Sequence, residues 1–521
     1  MEQSTAQPKH HVTAREDRIP IFQKAIYSIG GLVNSIQSAA IGAMVIVLNL
    51  GLGMNPALVG LVGAIPRIID AISDPITGYF SDNFRTRWGR RRPVIFFGAI
   101  TGGIFYALMF QLYKGHSESF YFWYFAALQS LYFLGFTCFS IPWIALGYEM
   151  TPDYHERTRL QAASNFIGQL AWVIAPWLFK IMDNKSMFTD IVHGARILSI
   201  ILGAFIVVGG ILPAIFIKER FADIAKPKRG EGPWNVTKDF FRGFAIAFKC
   251  RPFVKLCAVT FLIFNGFMLA SAFSAYVIFF YVYHGDYSKG GTLLGWFGTV
   301  SSICTFCVIF LATWLSTKIG KKNTFIITIS ISIIGYALKW IGYNPNQPYL
   351  LLIAAPFMAF GLGSLFTLIS SMVADVCDLD ELKTGTRREG MFSAVYWWMV
   401  KLGLALSSLI SGLLINASGF NIALGSNQTA RTLLYMRLFD IGIPIVTTLT
   451  AIFILMTFSL SEDDAYETRK HIERRREERR KAEEKRLHDL YLLANKKGQK
   501  AQELEYMYKR DALRKVLKIN V

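Results

Sequence analysis

Pro66–Pro93, PRIIDAISDPITGYFSDNFRTRWGRRRP, is the stretch whose reading decides the fold. It begins inside a long apolar run and ends in a turn carrying Arg85, Arg87, Arg90, Arg91 and Arg92. An apolar run of ~20 residues is what a helix needs to cross a bilayer core, and a basic turn after it marks the cytoplasmic end. Inside the run stand Arg67, Asp70 and Asp74. Spacings of three and four put them on one helical face. Ionisable groups at that depth cost ~2.5–3.5 kcal/mol each on insertion scales, so they must face a polar cavity or pair with one another. Two carboxylates four apart, with Ser73 beside them, can hold a small cation through hard oxygen ligands or share a proton. The alternative is an Arg67–Asp70 ion pair that only locks the bundle, although one arginine does not offset two aspartates at midplane depth.

Working outward, apolar runs recur near 25–50, 57–82, 93–113, 120–148, 163–183 and 193–217. Six more lie near 252–283, 290–318, 323–343, 348–376, 389–416 and 436–460. The connecting loops alternate in charge. Basic residues crowd 85–92, Arg157 and Arg159, 218–229, 318–322 and 383–388, whereas 49–55 and 344–348 have none. The positive-inside rule then places the basic loops and both termini in the cytoplasm. The expected class is an all-α integral membrane fold of about twelve spanning helices.

The whole chain agrees. Of its 521 residues 53% are hydrophobic and 17% charged, against roughly 25% charged in soluble domains, and mean hydropathy is +0.36. A net charge of +19 would suggest nucleic acid in a soluble protein. Here the basic residues belong to particular loops, so no nucleic-acid partner is expected. Cys304 and Cys307 form a C-x-x-C within an apolar run, with no second pair or nearby His, and read as packing. No nucleophile–base pair, metal cluster or phosphate loop is visible, and Gly285–Gly295 lacks the P-loop pattern. An enzyme is not expected, nor a cofactor.

A weak internal repeat divides the chain. Ser81–Arg92 and Ser316–Lys322 follow the second run of each half, and Glu149–Arg159 and Asp375–Arg388 follow the fourth. Parallel repeats of six helices are a transporter signature, with substrate bound near the midplane between halves. The expected organisation is a tail over 1–24, a six-helix bundle over 25–217, a central loop over 218–251, a second bundle over 252–460 and a charged, partly helical tail over 461–521. That tail, with HIERRREERRKAEEKR, reads as an exposed helix.

The second informative stretch is Ser371–Gly403, SMVADVCDLDELKTGTRREGMFSAVYWWMVKLG. Lys401 lies well inside the eleventh run, where a lysine facing two carboxylates would sense a bound cation. Asp82, Arg87, Arg90 and Arg157, with Asp375, Asp378, Arg387 and Arg388, read as a cytoplasmic gate between the halves. Asn34, Gln37, Arg67, Trp143, Asn165, Gln169 and Trp398 form the candidate substrate lining, since aromatic faces stack on sugar rings and amides bind hydroxyls. Helix packing is the plainer role for each Trp or Asn.

Three stretches carry a resemblance: RIIDAISDP with TRWGRRRP, IPWIALGYEMTPDYHERTRL, and SMVADVCDLDELKTGTRREG. In this order the chain resembles the glycoside–pentoside–hexuronide:cation symporters of the major facilitator superfamily, over about residues 21–460. The resemblance implies that Asp70 and Asp74 form a cation site for Na⁺ or H⁺, with Thr137 as an added ligand and Lys401 in coupling. It also implies a small sugar-like solute moved across a lipid bilayer. A monomer is expected, and the short outer loops fit a bacterial inner membrane. There are departures. The family's sugar-binding helix-1 Asp falls at Ser35, its helix-4 Asp at Ser140 and a helix-5 Arg at Asn165, and Ser73 replaces an Asn. The cation half is kept and the galactoside clamp is lost. Relatives on this scaffold move lysolipids, so an amphiphile transporter stands as a rival, as does a membrane sensor signalling through the tail.

Overall fold

The computed structural model describes residues 18–485, except 85, 152–153, 218, 220–237, 239–241, 386–387, 461–463, 466, 469, 476, 479–480 and 483–484. Among the described residues twelve helices are long and apolar enough to cross a membrane. They are α1 (Ile21–Leu50), α2 (Pro56–Asn83), α3 (Arg92–Met109), α4 (Glu118–Glu149), α5 (Arg159–Met182) and α6 (Ile191–Phe216). Then come α7 (Arg251–Val282), α8 (Tyr287–Ile319), α9 (Lys321–Gly342), α10 (Pro348–Thr384), α11 (Glu389–Ala417) and α12 (Ala430–Met456). Helices satisfy their own backbone groups, which lipid cannot do. Several boundaries differ from expectation by a few residues, and two of them are instructive. The helix of α10 continues to Thr384, past the apolar run, because DVCDLDELKT propagates a helix without being hydrophobic. Capped by the Thr429 hydroxyl, α12 starts at Ala430; Arg431 and its polar neighbours hide the first turn from a reading by hydropathy.

Packing is densest within each set of six. α3 lies on α4 and α6, α1 on α5 and α6, and α2 on α4; in the second set α12 lies on α7 and α9. Glycine pairs allow these approaches. A Cβ on Gly135 would sit 2.6 Å from the Gly102 nitrogen, and one on Gly203 2.6 Å from the Gly103 oxygen. Helices without a hydrophobic drive between them associate through such small-residue contacts.

The basic end of the first six helices is tied by carboxylates. Glu219 accepts the backbone N–H groups of Arg90, Arg91 and Arg92 at 3.1, 2.7 and 3.0 Å. It therefore covers the N-terminus of α3, where exposed donors and the helix dipole favour an anion. Arg90 and Arg91 both pair with Glu149 at the end of α4. Glu156 accepts Lys24 at 2.6 Å and the Ile19 N–H at 2.9 Å. Burial works to raise the Glu156 carboxyl, but the bonds from Lys24 and Ile19 outweigh it and hold the group below its usual range. Several gate expectations change here. Arg90 is held within the first six helices, Arg157 donates to the Thr151 carbonyl at 3.2 Å, and Arg87 is exposed. Arg387 lies outside the described residues, as does the side chain of Asp82.

The chain divides into two compact bodies, Met1–Met372 with Gly390–Phe458, and Val373–Glu389 with Ser459–Val521. In the second body Arg388 makes a two-toothed pair with Asp380, at 2.9 and 2.6 Å. Asp375 and Asp378 belong to this body and each has a partner. Arg475 donates to the Leu382 carbonyl at 2.8 Å, and Thr468 and Ile472 are buried. The tail is thus not a wholly exposed helix: it meets the C-terminal end of α10.

Candidate functional site

Asp70 and Asp74 sit midway along α2 and meet α4 on one side and α11 on the other. Thr137 of α4 donates to Asp70 Oδ1 at 2.8 Å and lies 3.4 Å from Asp74 Oδ1. Lys401 of α11 reaches the remaining oxygens, Asp70 Oδ2 at 3.0 Å and Asp74 Oδ2 at 2.5 Å. The four side chains close a ring in which each carboxylate holds one hydroxyl and one ammonium contact. Ser73 completes it, donating to the Asp70 carbonyl at 2.9 Å and lying 3.4 Å from Thr137 Oγ1. Asp70 is fully buried, whereas the side chains of Asp74 and Lys401 are 31% and 22% exposed. An ion therefore has access to the ring from the Asp74 side. Two carboxylates against one ammonium leave a net negative charge at a depth where charge is costly.

The bond from Lys401 to the aspartates also joins the first six helices to the last six. Other such links gather toward the end opposite the basic loops. Tyr276 of α7 donates to Asn49 of α1 at 3.0 Å, and Trp177 of α5 donates to Thr299 of α8 at 2.9 Å. Lys180 donates to the Ser288 carbonyl at 3.0 Å, and the Phe179 ring packs tilted on Phe279 with centroids 4.4 Å apart. There α2 crosses α11 at backbone contact: a Cβ on Gly60 would lie 2.5 Å from the Ser408 carbonyl. The far end is closed.

A family model described as MFS/sugar transport protein matches residues 27–462. The chain belongs to that family. This member of the MFS/sugar transport family is accordingly an integral membrane transporter with the major facilitator fold, and not an enzyme, as the three motifs implied. It is 24% identical to the isoprimeverose transporter of Lactiplantibacillus pentosus over 398 residues, 76% of this chain and 79% of that protein. It is 22% identical to the sodium-dependent lysophosphatidylcholine symporter 1 of Xenopus tropicalis over 494 residues, 89% of this chain and 92% of that one. In fold it is similar to a point mutant of the nucleoside transporter NupG, with TM-score 0.63, 13% identity, and 83% and 99% of the two chains covered.

The remaining expected residues of this transporter scatter. Arg67 forms no ion pair among the described residues; its guanidinium lies 4.5 Å over the Phe133 ring. The Arg67–Asp70 lock is thus replaced by Lys401. Gln37 is fully buried, with a Cβ on Gly102 reaching to 3.1 Å of its Oε1, and Trp143 is stacked on Tyr27 at 4.8 Å. Both sit inside the first bundle rather than in a lining. Ser35 faces Gly168 of α5, where a Cβ would come within 2.8 Å of its hydroxyl. Asn34, Ser140 and Gln169 are half-buried and Asn165 is exposed. Trp398 stands edge-on to Phe244 of a short helix over 242–247, at 4.8 Å. Cys307, read as packing, is exposed on α8.

One charged cluster escaped the sequence reading. Lys339 of α9 and Asp440 of α12 are fully buried and paired at 2.6 Å. The signal was available, since both are ionisable residues within apolar runs.

Proposed function

We propose that this transporter is a cation-coupled symporter of a sugar-like polar solute, working by alternating access with its basic end and both termini in the cytoplasm. The observation that carries the reading is the Lys401 ammonium bridging Asp70 and Asp74 from the opposite half. It stands where a free cation would bind. Na⁺ takes oxygen ligands, and Asp70 Oδ1, Asp74 Oδ1, Thr137 Oγ1 and Ser73 Oγ converge beside it. Entry of Na⁺ displaces the ammonium and cuts a bond between the halves. Protonation of Asp74 would cut the same bond, so ion substitution decides which is used. A cation-filled site then frees the halves to rock around a solute bound between them. The isoprimeverose transporter's name supports a sugar-like solute, and short loops with basic cytoplasmic turns fit a bacterial inner membrane.

A second reading has its own support. The lysophosphatidylcholine symporter aligns over more of the chain, and Ile68, Ile72, Ile76 and Phe80 form an exposed apolar stripe at helical spacing along α2. An amphiphile with an acyl chain would suit such a stripe.

The cation role is tested by Asp74→Ala in proteoliposomes. The variant is expected to lose gradient-driven accumulation while retaining exchange of labelled for unlabelled solute. Accumulation at the parent level under both Na⁺ and H⁺ gradients would refute the role.

A further inference from the structure

The buried Lys339–Asp440 pair lies on helices that take no part in the ring around Asp70. Its contacts lead elsewhere. Lys339 Nζ donates to Ser274 Oγ of α7 at 2.7 Å, and Ser274 Oγ is 3.1 Å from Asp440 Oδ1. Tyr343 donates to the other carboxylate oxygen at 2.6 Å. All four groups are sealed from water. A sealed ion pair gains little stability over well-packed apolar side chains, because desolvation offsets its attraction. What it offers is direction: each bond is satisfied in one arrangement of three helices only.

That arrangement fixes α7 immediately before its gate segment. Two residues beyond Ser274, Tyr276 bonds across to Asn49. From Val277 to Val282 the helix widens into a π turn, a feature concentrated at functional sites. That turn supplies Phe279, packed on Phe179 of the first half, and Phe280, packed on Phe420.

We propose that Lys339 and Asp440 are positioning residues of the outer gate. They tie α7 at Ser274 to α9 and α12, so that Tyr276 and the π turn are presented to Asn49 and Phe179 in the closed geometry. Without the tie, the outer end of α7 bends away independently and the gate opens more often. The inference rests on alternating access, and on neither the coupling ion nor the solute.

Ser274→Ala is the informative variant, because it cuts the tie and leaves the ion pair and the Tyr343 bond in place. The six native cysteines are replaced, and one reporter is introduced by Ser408→Cys, where α11 meets Gly63 of the opposite half. A membrane-impermeant maleimide is added outside. Ser274→Ala is expected to raise the labelling rate roughly 10-fold, about 1.4 kcal/mol in the open–closed equilibrium. Tyr276→Phe is expected to give a similar rise, and the double variant no more than either, since both act on one contact. Should Ser274→Ala not be recovered folded, the paired Lys339→Met, Asp440→Leu replacement leaves no lone charge and is expected to give the same rise. Unchanged labelling, or additive effects of the two single variants, would overturn the proposal. The assay needs neither solute nor coupling ion, so its failure is separable from failure of the symport reading.

Discussion

Lys401 is the side chain on which the account turns. Removing it leaves Asp70 and Asp74 facing each other without the ammonium that bridges them, and breaking a buried pair on one side costs about 3–5 kcal/mol. A cation that binds between the carboxylates restores that loss by mass action. Lys401→Met is therefore expected to melt below the parent in choline chloride and to gain more from NaCl than the parent does. Equal gains in both proteins would mean that Lys401 does not compete with the ion. At this scale the sequence was uneven. Asp70, Asp74 and Lys401 were legible because a charge inside an apolar run demands a partner. Thr137 was legible only through family resemblance, since a hydroxyl in a membrane helix is otherwise unremarked. Gln37 and Trp143 were less legible: a polar or aromatic residue near a cavity has the same spacing whether it faces the cavity or the bundle behind it. Lys339 and Asp440 obeyed the rule that found Lys401 but lie 101 positions apart, and no pattern in the chain announces that they meet.

Among the elements, the start of α3 gives the clearest test. Three consecutive backbone donors converge on Glu219, and an N-terminal helix anion of this kind contributes about 0.5–2 kcal/mol. Glu219→Ala is expected to lower the melting temperature without changing the apparent affinity for the coupling ion. A changed ion affinity with unchanged melting would place Glu219 in the transport machinery instead. The elements themselves were largely legible, because lipid imposes one length and one secondary structure. Where hydropathy failed, at the end of α10 and the start of α12, charged residues continued a helix beyond the apolar run. The basic turn after α2 shows the opposite limit. Its arginines gave the topology, yet Arg90 and Arg91 are engaged by Glu149 of their own half. Sequence position alone does not choose between a partner nearby and one across a gate.

For the whole molecule, the account joins a closed outer end to a charge ring that one cation can open. The proposed coupling has a definite size. One positive charge entering against 100 mV is worth ~2.3 kcal/mol, enough for roughly 50-fold accumulation at ~1.4 kcal/mol per tenfold. The most direct test of the central claim is uptake in proteoliposomes under an imposed Na⁺ or H⁺ gradient, with labelled glycosides, pentoses and hexuronates set against a lysophospholipid. The account predicts gradient-driven accumulation of a sugar-like solute that disappears when the productive cation is replaced. Accumulation of the lysophospholipid alone, or sugar movement indifferent to both gradients, would contradict it.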